Sequence, residues 1–218
     1  MDVAPVFPLS SAVLFPDTVL PLHIFEPRYR QMVRDVSGGE GHMAIALLEP
    51  GFEEDYEGSP VFHRIGTLGR IENLEELPNG RFNLHLVGER RVEFEEIPSP
   101  TAYRVAQLIA RDETGVDDDD PEIVRAKLDL LASHAFLVQQ ISGDTGPSLA
   151  ANDRLTFRAA VNGACANMPI DAHLRQSLLE IDDLRERQSS AQQMVNDVLE
   201  KVMALKTPDP AADYSQLN

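Results

Sequence analysis

The spacing of apolar residues changes at the four aspartates Asp117–Asp120, and this change constrains the fold more than any other feature. Before them, short apolar runs alternate with turn residues, as is typical of strands; after them, apolar residues recur at helical spacing. Strands followed by helices predict an α+β fold. We therefore expect a β-rich domain over residues 1–116, a helical subdomain over 117–206 and a flexible tail over 207–218.

The first half contains a series of strand candidates that follow one another along the chain. Pro78-Asn79-Gly80 supplies the residues of a tight hairpin turn. Beyond it, Phe82, Leu84 and Leu86 occupy alternate positions, so one face of this strand is expected to be buried. Further strand candidates are His42–Leu48, Val61–Ile65, Thr67–Leu74, Val92–Ile97 and Tyr103–Ile109. This pattern favours a small, mostly antiparallel β pseudobarrel.

The segment Pro21–Val33 predicts a short strand that runs directly into a helix. Residues from Leu22 to Phe25 are typical of a strand, Glu26 suits an acidic helix cap, and Pro27 suits the first helical position. The residues that share one apolar helix face are Tyr29, Met32, Val33 and Val36. We therefore expect an early helix that packs against the strands.

Four helices are predicted after the acidic run. Asp120 suits an N-cap and Pro121 suits the first turn of a helix that extends towards Gln140. Shorter helices follow from Asn152 to Ala166 and from Asp171 to Ile181. The last helix carries an apolar seam formed by Leu184, Gln188, Ala191, Val195, Val198, Val202 and Leu205. The seam could bind a partner helix, but packing within the protein's own helical bundle is favoured, because single seams usually serve intramolecular cores.

The composition excludes several classes of protein. The chain carries 19 basic and 36 acidic residues, a net charge of −17, and this argues against long nucleic-acid partners, which require clustered Lys and Arg. No run approaches the roughly 18 apolar residues that span a bilayer, and the N-terminus does not resemble a signal peptide, so a cytoplasmic protein with no membrane partner is expected. Cys165 is the single cysteine, which rules out an intrachain disulfide.

Motifs for catalysis are missing, and the chain is expected not to be an enzyme. No glycine precedes any lysine, so the phosphate-binding loop G-x-x-x-x-G-K-[ST] cannot be written anywhere. A Ser-Lys pair would have to use Lys127, Lys201 or Lys206, which lie on expected exposed helices or near the tail. We therefore assign no catalytic, cofactor-binding or metal-binding residues and expect no cofactor.

Histidines, arginines and acidic runs have structural interpretations that we favour. The histidines show no H-E-x-x-H or paired ligand spacing, and the sequence leaves open whether distant ones converge in the fold; they are His23, His42, His63, His85, His134 and His173. Arg28, Arg90 and Arg91 could bind an acidic ligand. Ion pairs with neighbouring acids are the favoured role, and these acids are Glu26, Glu89 and Glu93. The runs Glu53-Glu54-Asp55 and Asp117–Asp120 lack the pattern of a calcium-binding loop and are expected to be solvated.

Several motifs together resemble the N-terminal substrate-binding domain of Lon proteases. They are Phe7-Pro8-Leu9, Leu14-Phe15-Pro16, Pro21–Val33, Gly66-Thr67-Leu68-Gly69, Pro78-Asn79-Gly80-Arg81, Val87–Val92 and Met168-Pro169-Ile170. The resemblance covers roughly residues 5–205 and implies a PUA-like barrel followed by a C-terminal helical bundle. It also implies a binding domain without the ATPase and peptidase of full-length Lon.

The function that this resemblance implies is a non-catalytic protein- or peptide-binding module for unfolded or exposed polypeptide segments, acting as an adaptor or holding factor in protein quality control. A separate Lon protease is a candidate partner, and the sequence leaves a homodimer open. Phe52 and Tyr56 are candidates for peptide contacts, although they could instead pin their loop to the barrel. The alternative functions are RNA binding, which the acidic charge opposes, and a small hydrolase.

Overall fold

The computed structural model of the chain describes residues 2–55, 58–143 and 154–206. Six strands and five helices lie within these ranges. The strands are β1 (Asp2–Leu9), β2 (Val19–Ile24), β3 (His42–Leu47), β4 (Ile65–Glu76), β5 (Phe82–Ile97) and β6 (Arg104–Ala110). The helices are α1 (Pro27–Ser37), α2 (Pro121–Ser142), α3 (Phe157–Ala166), α4 (Ala172–Glu180) and α5 (Leu184–Lys206), and a short 3-10 turn covers Phe52–Asp55. The predicted α+β class is confirmed.

The strands form one sheet in the order β2-β5-β4-β3-β1-β6, and β6 also pairs with β5. This last pairing closes five strands into a ring, and β2 extends the sheet beyond it. β1 and β3 are parallel, while all other neighbours are antiparallel. The long strand β5 makes this possible, because its first part pairs with β2 and its last part pairs with β6.

Helix α1 begins at Pro27, as predicted, and buries Tyr29, Met32 and Val33. Glu26 occupies the N-cap position, but its side chain does not cap the helix, so the predicted acidic cap is wrong. The Glu26 carboxylate instead accepts a hydrogen bond from Arg28 Nε at 3.1 Å. A carboxylate that pairs with a nearby guanidinium is held away from the backbone N–H groups of the first turn.

The hairpin predicted at Pro78–Gly80 is present, with Gly80 in the left-handed region at φ 72°. Phe82 and the two alternating leucines after it are buried, also as predicted. The strand predicted over Val61–Ile65 is formed only in part. Phe62 pairs with Leu48 in an isolated bridge, backbone hydrogen bonds run from Glu49 N to Val61 O and from His63 N to Leu47 O, and Ile65 is the first residue of β4.

The helix termini follow local capping chemistry. The Asp120 side chain accepts from Glu122 N, which confirms the predicted cap of α2. Helix α3 begins at Phe157, later than predicted, because the Thr156 side chain caps it by accepting from Ala159 N. Residues 152 and 153 of the predicted helix and the predicted tail over 207–218 lie outside the described residues.

The apolar seam of α5 packs against the protein's own helices, as favoured from the sequence. Its members Leu184, Ala191 and Val195 are buried in a cluster with residues of α2 and α3. Leu205, the last member, is 87% exposed. Two further apolar clusters lie on opposite faces of β3, which contributes Ile45 to one and Ala44 to the other. None of the described helices is both long enough and apolar enough to cross a membrane.

Candidate functional site

Strand β2 lies at the edge of the sheet, because β5 is its one strand neighbour in the described chain. Thr18 O accepts from Gly88 N at 2.9 Å, and antiparallel alternation then turns the backbone groups of Val19, Pro21 and His23 away from β5. Proline has no N–H to offer and is confined to such edge positions within sheets. β2 therefore presents an unpaired edge with few donors.

The side chains on the outer face of β2 form an exposed stripe that is mainly apolar. Val19, Pro21, His23 and Phe25 point outward, and we call these four residues the β2 outer stripe. Val19 and Phe25 are each 56% exposed, and the rings of His23 and Phe25 stack with centroids 6.2 Å apart. A half-buried antiparallel strand usually carries polar residues on its outer face. An apolar stripe beside an unpaired edge is therefore a candidate binding surface.

A hollow of about 390 Å³ opens between the start of β2 and helix α3. On the helix side, its wall is formed by the small residues Ala159, Gly163 and Ala166 together with Leu155 and Asn167. Residues of this size at successive turns leave room for a chain to approach the helix closely. The hollow thus continues the apolar surface beyond Val19.

A second, more polar hollow of about 520 Å³ lies over β2, β5 and β4. His23 Nδ1 is 2.8 Å from Asn83 Oδ1, and Asn83 Nδ2 donates to Glu75 at 3.3 Å. Asn73, at φ 48° beside an irregularity in the β4–β5 register, lies 3.1 Å from His85 Nδ1. These amides and imidazoles could exchange hydrogen bonds with the backbone of a bound chain.

The aromatic residues predicted as peptide contacts lie elsewhere. Phe52 is half-buried in the 3-10 turn and packs against the cluster that includes Leu48 and Phe62. Tyr56 lies outside the described residues. Phe52 therefore has the packing contact that a pinning role requires, and a role of either residue in binding stays a prediction.

A cavity of about 250 Å³ lies near this loop, between Pro60 and the segment before β6. Arg104 stacks on the Phe62 ring at 4.0 Å, pairs with Glu96 and donates to Pro60 O at 2.5 Å. Tyr103 donates to Asp35 at 2.9 Å, and burial together with this contact raises the pKa of Tyr103 to about 12. Arg104 and Tyr103 are thus both engaged by protein partners, which suits a structural role.

Two histidines that are distant in sequence come together at the junction of the barrel and the helices. The rings of His63 and His173 have centroids 5.7 Å apart, and His63 Nδ1 lies 3.1 Å from Glu180 Oε1. Within the described ranges, no group of three or more His, Cys, Asp or Glu residues is arranged to hold a metal ion. The spacing of the histidines in the sequence does not predict this contact, because the fold brings His63 and His173 together.

The three arginines considered from the sequence are ion-paired. Arg28 contacts Glu26 at 3.0 Å, as expected, but Arg90 pairs with Asp2 instead of a neighbouring acid. Arg91 is buried and pairs with Glu113 at 3.3 Å and with Asp182 at 2.8 Å; neither was among the expected partners.

Arg91 is part of a buried ionic cluster between the barrel and the helices. Burial, followed by the nearby charge of Arg187, lowers the pKa of Arg91 from its ordinary value. Burial alone would raise the pKa of the Asp182 carboxyl, but hydrogen bonds from Arg111 and Arg91 outweigh it and hold that pKa below its ordinary value. Arg91 also donates to the carbonyl of Leu179 at 2.8 Å. These contacts fasten the helices to the barrel and engage Arg91 with protein partners.

The β2 outer stripe was not predicted from the sequence, although a signal for it was present. The run Val19–Phe25 is apolar at nearly every position, as in a strand buried on both faces, yet Pro21 within it indicates an edge strand. An edge strand that is apolar on both faces must expose one of them. The two signals together identify the surface.

Comparison with known proteins identifies the family. A family model described as "ATP-dependent protease La (LON) substrate-binding domain" matches residues 3–197. A Lon protease of Flavobacterium johnsoniae is 26% identical over 91% of this chain, and one of Orientia tsutsugamushi is 26% identical over 99% of it. The chain covers 24% and 27% of these two relatives, so it spans about a quarter of their length.

Solved structures agree with this assignment at the level of the fold. The N-terminal domain of Mycobacterium avium complex Lon protease superposes with a TM-score of 0.68 at 18% identity, covering 90% of this chain and 99% of that domain. A Lon N-terminal domain protein from Xanthomonas campestris gives a TM-score of 0.59 at 23% identity, covering 94% and 98%. The chain therefore belongs to the family of Lon substrate-binding domains.

Proposed function

We propose that this chain is a non-catalytic module that recognises exposed apolar segments of polypeptides, and that the β2 outer stripe is its contact surface. The observation that carries the proposal is the combination of exposed Val19 and Phe25 with a β2 edge that has no strand partner among the described residues. An extended segment laid along such an edge can bond to free backbone groups while its side chains contact the stripe. Membership of a family described as substrate-binding supports the same function.

The surface also has the composition of a binding site. Phe25 offers an aromatic ring at one end, and the hollow beside α3 offers apolar walls at the other. The polar side chains of the second hollow, among them His23 and Asn83, lie between these ends. Aromatic anchors surrounded by polar groups dominate the energy of many protein interfaces.

A binding titration with a fluorescently labelled, permanently unfolded model protein tests the proposal. Phe25→Ser is expected to weaken binding by about tenfold, which corresponds to the loss of about 1.4 kcal/mol from one aromatic contact. Phe136→Ser is the matched control, because Phe136 is 47% exposed on helix α2, away from the stripe. Equal binding by the two variants and the wild type would contradict the proposal.

A second matched pair distinguishes the stripe from general surface apolarity. Val19→Ser removes an end of the stripe, whereas Val3→Ser removes an equally exposed valine from β1. Only the first is expected to weaken binding. If Phe52→Ala abolished binding while Phe25→Ser had no effect, the contact surface would be the loop predicted from the sequence.

The cellular role that we propose is that of an adaptor or holding factor in protein quality control, in the cytoplasm, with a Lon protease as partner. Degradation of an unfolded protein by purified Lon protease from the same organism separates the two roles. An adaptor would accelerate degradation when added in equimolar amounts. A holding factor would protect the unfolded protein, and Phe25→Ser is expected to remove either effect. No change in degradation rate would refute both roles.

A further inference from the structure

Two arginine side chains of α1 converge on the β4–β5 hairpin turn. A methyl group placed on Gly80 would lie 3.1 Å from Arg34 Nη2 and 3.2 Å from Arg30 Nη2. The two nitrogens are therefore no more than about 6.3 Å apart, the sum of these distances. Arg81 follows Gly80 directly and is exposed. We call Arg30, Arg34 and Arg81 the hairpin arginine cluster.

This cluster has few negative partners in the described chain. Arg34 reaches Glu76 at 3.9 Å and donates weakly to Gly80 O at 3.4 Å. Arg30 and Arg81 form no ion pair with any described residue, and Arg30 Nε is buried without a hydrogen-bond partner. Like charges four residues apart on a helix repel each other, so a bound anion would relieve repulsion between Arg30 and Arg34.

Other arginines of this acidic chain are mostly neutralised. Those that form ion pairs elsewhere are Arg28, Arg64, Arg70, Arg90, Arg91, Arg104, Arg111, Arg125, Arg158, Arg185 and Arg187. The sequence contains 36 acidic residues, yet none of the described ones forms an ion pair with Arg30 or Arg81. Arg175 also forms no ion pair in the described chain, but it donates to Ser11 O at 3.1 Å. Arg30 and Arg81 therefore have guanidinium donors that a ligand could engage.

The cluster adjoins the β2 outer stripe. Ile24 pairs with Phe82, and continuing this antiparallel register places Phe25 opposite Arg81. The hairpin turn, with Arg81 and the two α1 guanidinium groups beside Gly80, thus lies at the Phe25 end of β2. A segment bound along β2 would reach the arginines at the Phe25 end.

We propose that the hairpin arginine cluster binds the carboxylate of an acidic residue in the polypeptide that occupies the β2 outer stripe. The inference rests on the proposed function and adds a preference to it: apolar segments with an Asp or Glu at one end. Guanidinium groups suit this task because they bind carboxylates through paired N–H donors.

The charge of the whole protein selects against longer polyanions. A nucleic acid would place many phosphates in the field of a chain with net charge −17. A single carboxylate between Arg30 and Arg34 feels chiefly the nearest charges, because salt screens interactions beyond about 8 Å at physiological ionic strength. A short acidic site on a polypeptide is therefore the ligand that fits.

Two fluorescent peptides test the inference. They share an extended apolar sequence and differ only in a terminal aspartate or asparagine, with both ends blocked. The aspartate peptide is expected to bind the wild-type protein about tenfold more tightly, and high salt is expected to reduce this ratio. The double variant Arg30→Gln, Arg34→Gln is expected to lose the preference while it binds the asparagine peptide as the wild type does.

Controls address folding and location. Arg81→Gln changes an exposed side chain in the turn and is expected to reduce the preference without affecting the melting temperature. Arg125→Gln removes an exposed arginine on α2 and is expected to leave the preference intact. Equal affinity of the two peptides for the wild type would overturn this inference and leave the proposed function standing. The absence of saturable binding by either peptide would refute both.

Discussion

Glu113 lies between two buried arginines, and its replacement by alanine is expected to destabilise the protein strongly. Its Oε1 is 3.3 Å from Arg91 Nε and also pairs with Arg187 Nη1, and its Oε2 is 3.7 Å from Arg158. The side chains of Arg91 and Arg187 are fully buried, and that of Glu113 is 9% exposed. Removing this carboxylate would leave two guanidinium groups facing each other away from water.

The other contacts of the cluster compensate only in part. Asp182 would still pair with Arg91, but it is 46% exposed and forms no ion pair with Arg187 in the described chain. Arg187 would keep the neutral partners Asn162 Oδ1 at 2.7 Å and Ile181 O at 2.5 Å. Breaking a buried ion pair by removing one partner costs about 3–5 kcal/mol. For a chain of 218 residues, this corresponds to a fall of roughly 6–20 °C in melting temperature.

Urea denaturation followed by circular dichroism measures this loss in Glu113→Ala. Glu72→Ala is the matched control, because Glu72 pairs with Arg70 at 2.7 Å on the surface and its loss is expected to cost about 1 kcal/mol or less. If Glu113→Ala lost no more stability than the control, the cluster would not fasten the helices to the barrel, and our reading of Arg91 and Arg187 would be refuted.

Two further outcomes follow from buried groups in the helical subdomain. Burial raises the pKa of the Cys165 thiol to about 12, so a thiol reagent at pH 8 is expected to react only after this subdomain opens, and faster reaction with the folded protein would contradict the packing. Burial also lowers the pKa of His134 from its ordinary value of 6.5. As the pH falls, His134 is therefore protonated in the unfolded chain before it is protonated in the folded protein. The contribution of this group to the free energy of unfolding is fully present above about pH 6.5 and is lost as the pH drops towards the folded-state pKa. His134→Gln is expected to flatten this dependence in denaturation curves measured from pH 7.5 to 5, and an unchanged slope would refute it.

Much of the fold follows from patterns that act over a few residues. Pro27 and the apolar face of Tyr29, Met32 and Val33 predict α1, and Asp120 with Pro121 predicts the start of α2. These signals succeed because capping and helical periodicity are local. The strand over Val61–Ile65 was predicted with the wrong extent, because a short apolar run does not show where strand pairing begins: Phe62 forms an isolated bridge, and β4 begins at Ile65.

The site was less accessible to sequence reasoning, because its features depend on partners that are far apart in the chain. The Arg91 pair with Asp182 joins residues 91 positions apart, and the approach of Arg30 to Gly80 depends on how α1 lies against a hairpin. Neither contact can be recognised from the spacing of residues in the sequence. The free edge of β2 likewise depends on the sheet order, in which β5 is its one strand neighbour in the described chain.

The segment Pro21–Val33 supplies both the scaffold and the candidate site, and the period of a strand explains how. Successive side chains of β2 point to opposite faces, so Leu22 and Ile24 enter the core while His23 and Phe25 face outward. Helix α1, which follows, also has a buried and an outward face. Met32 and Val33 are buried, and Arg30 and Arg34 reach the hairpin. The segment that carries the family resemblance therefore contains both core residues and surface residues. The inward residues account for the shared fold, whereas Phe25 is exposed and Arg30 forms no ion pair in the described chain, so those outward residues are where recognition of a partner should be sought.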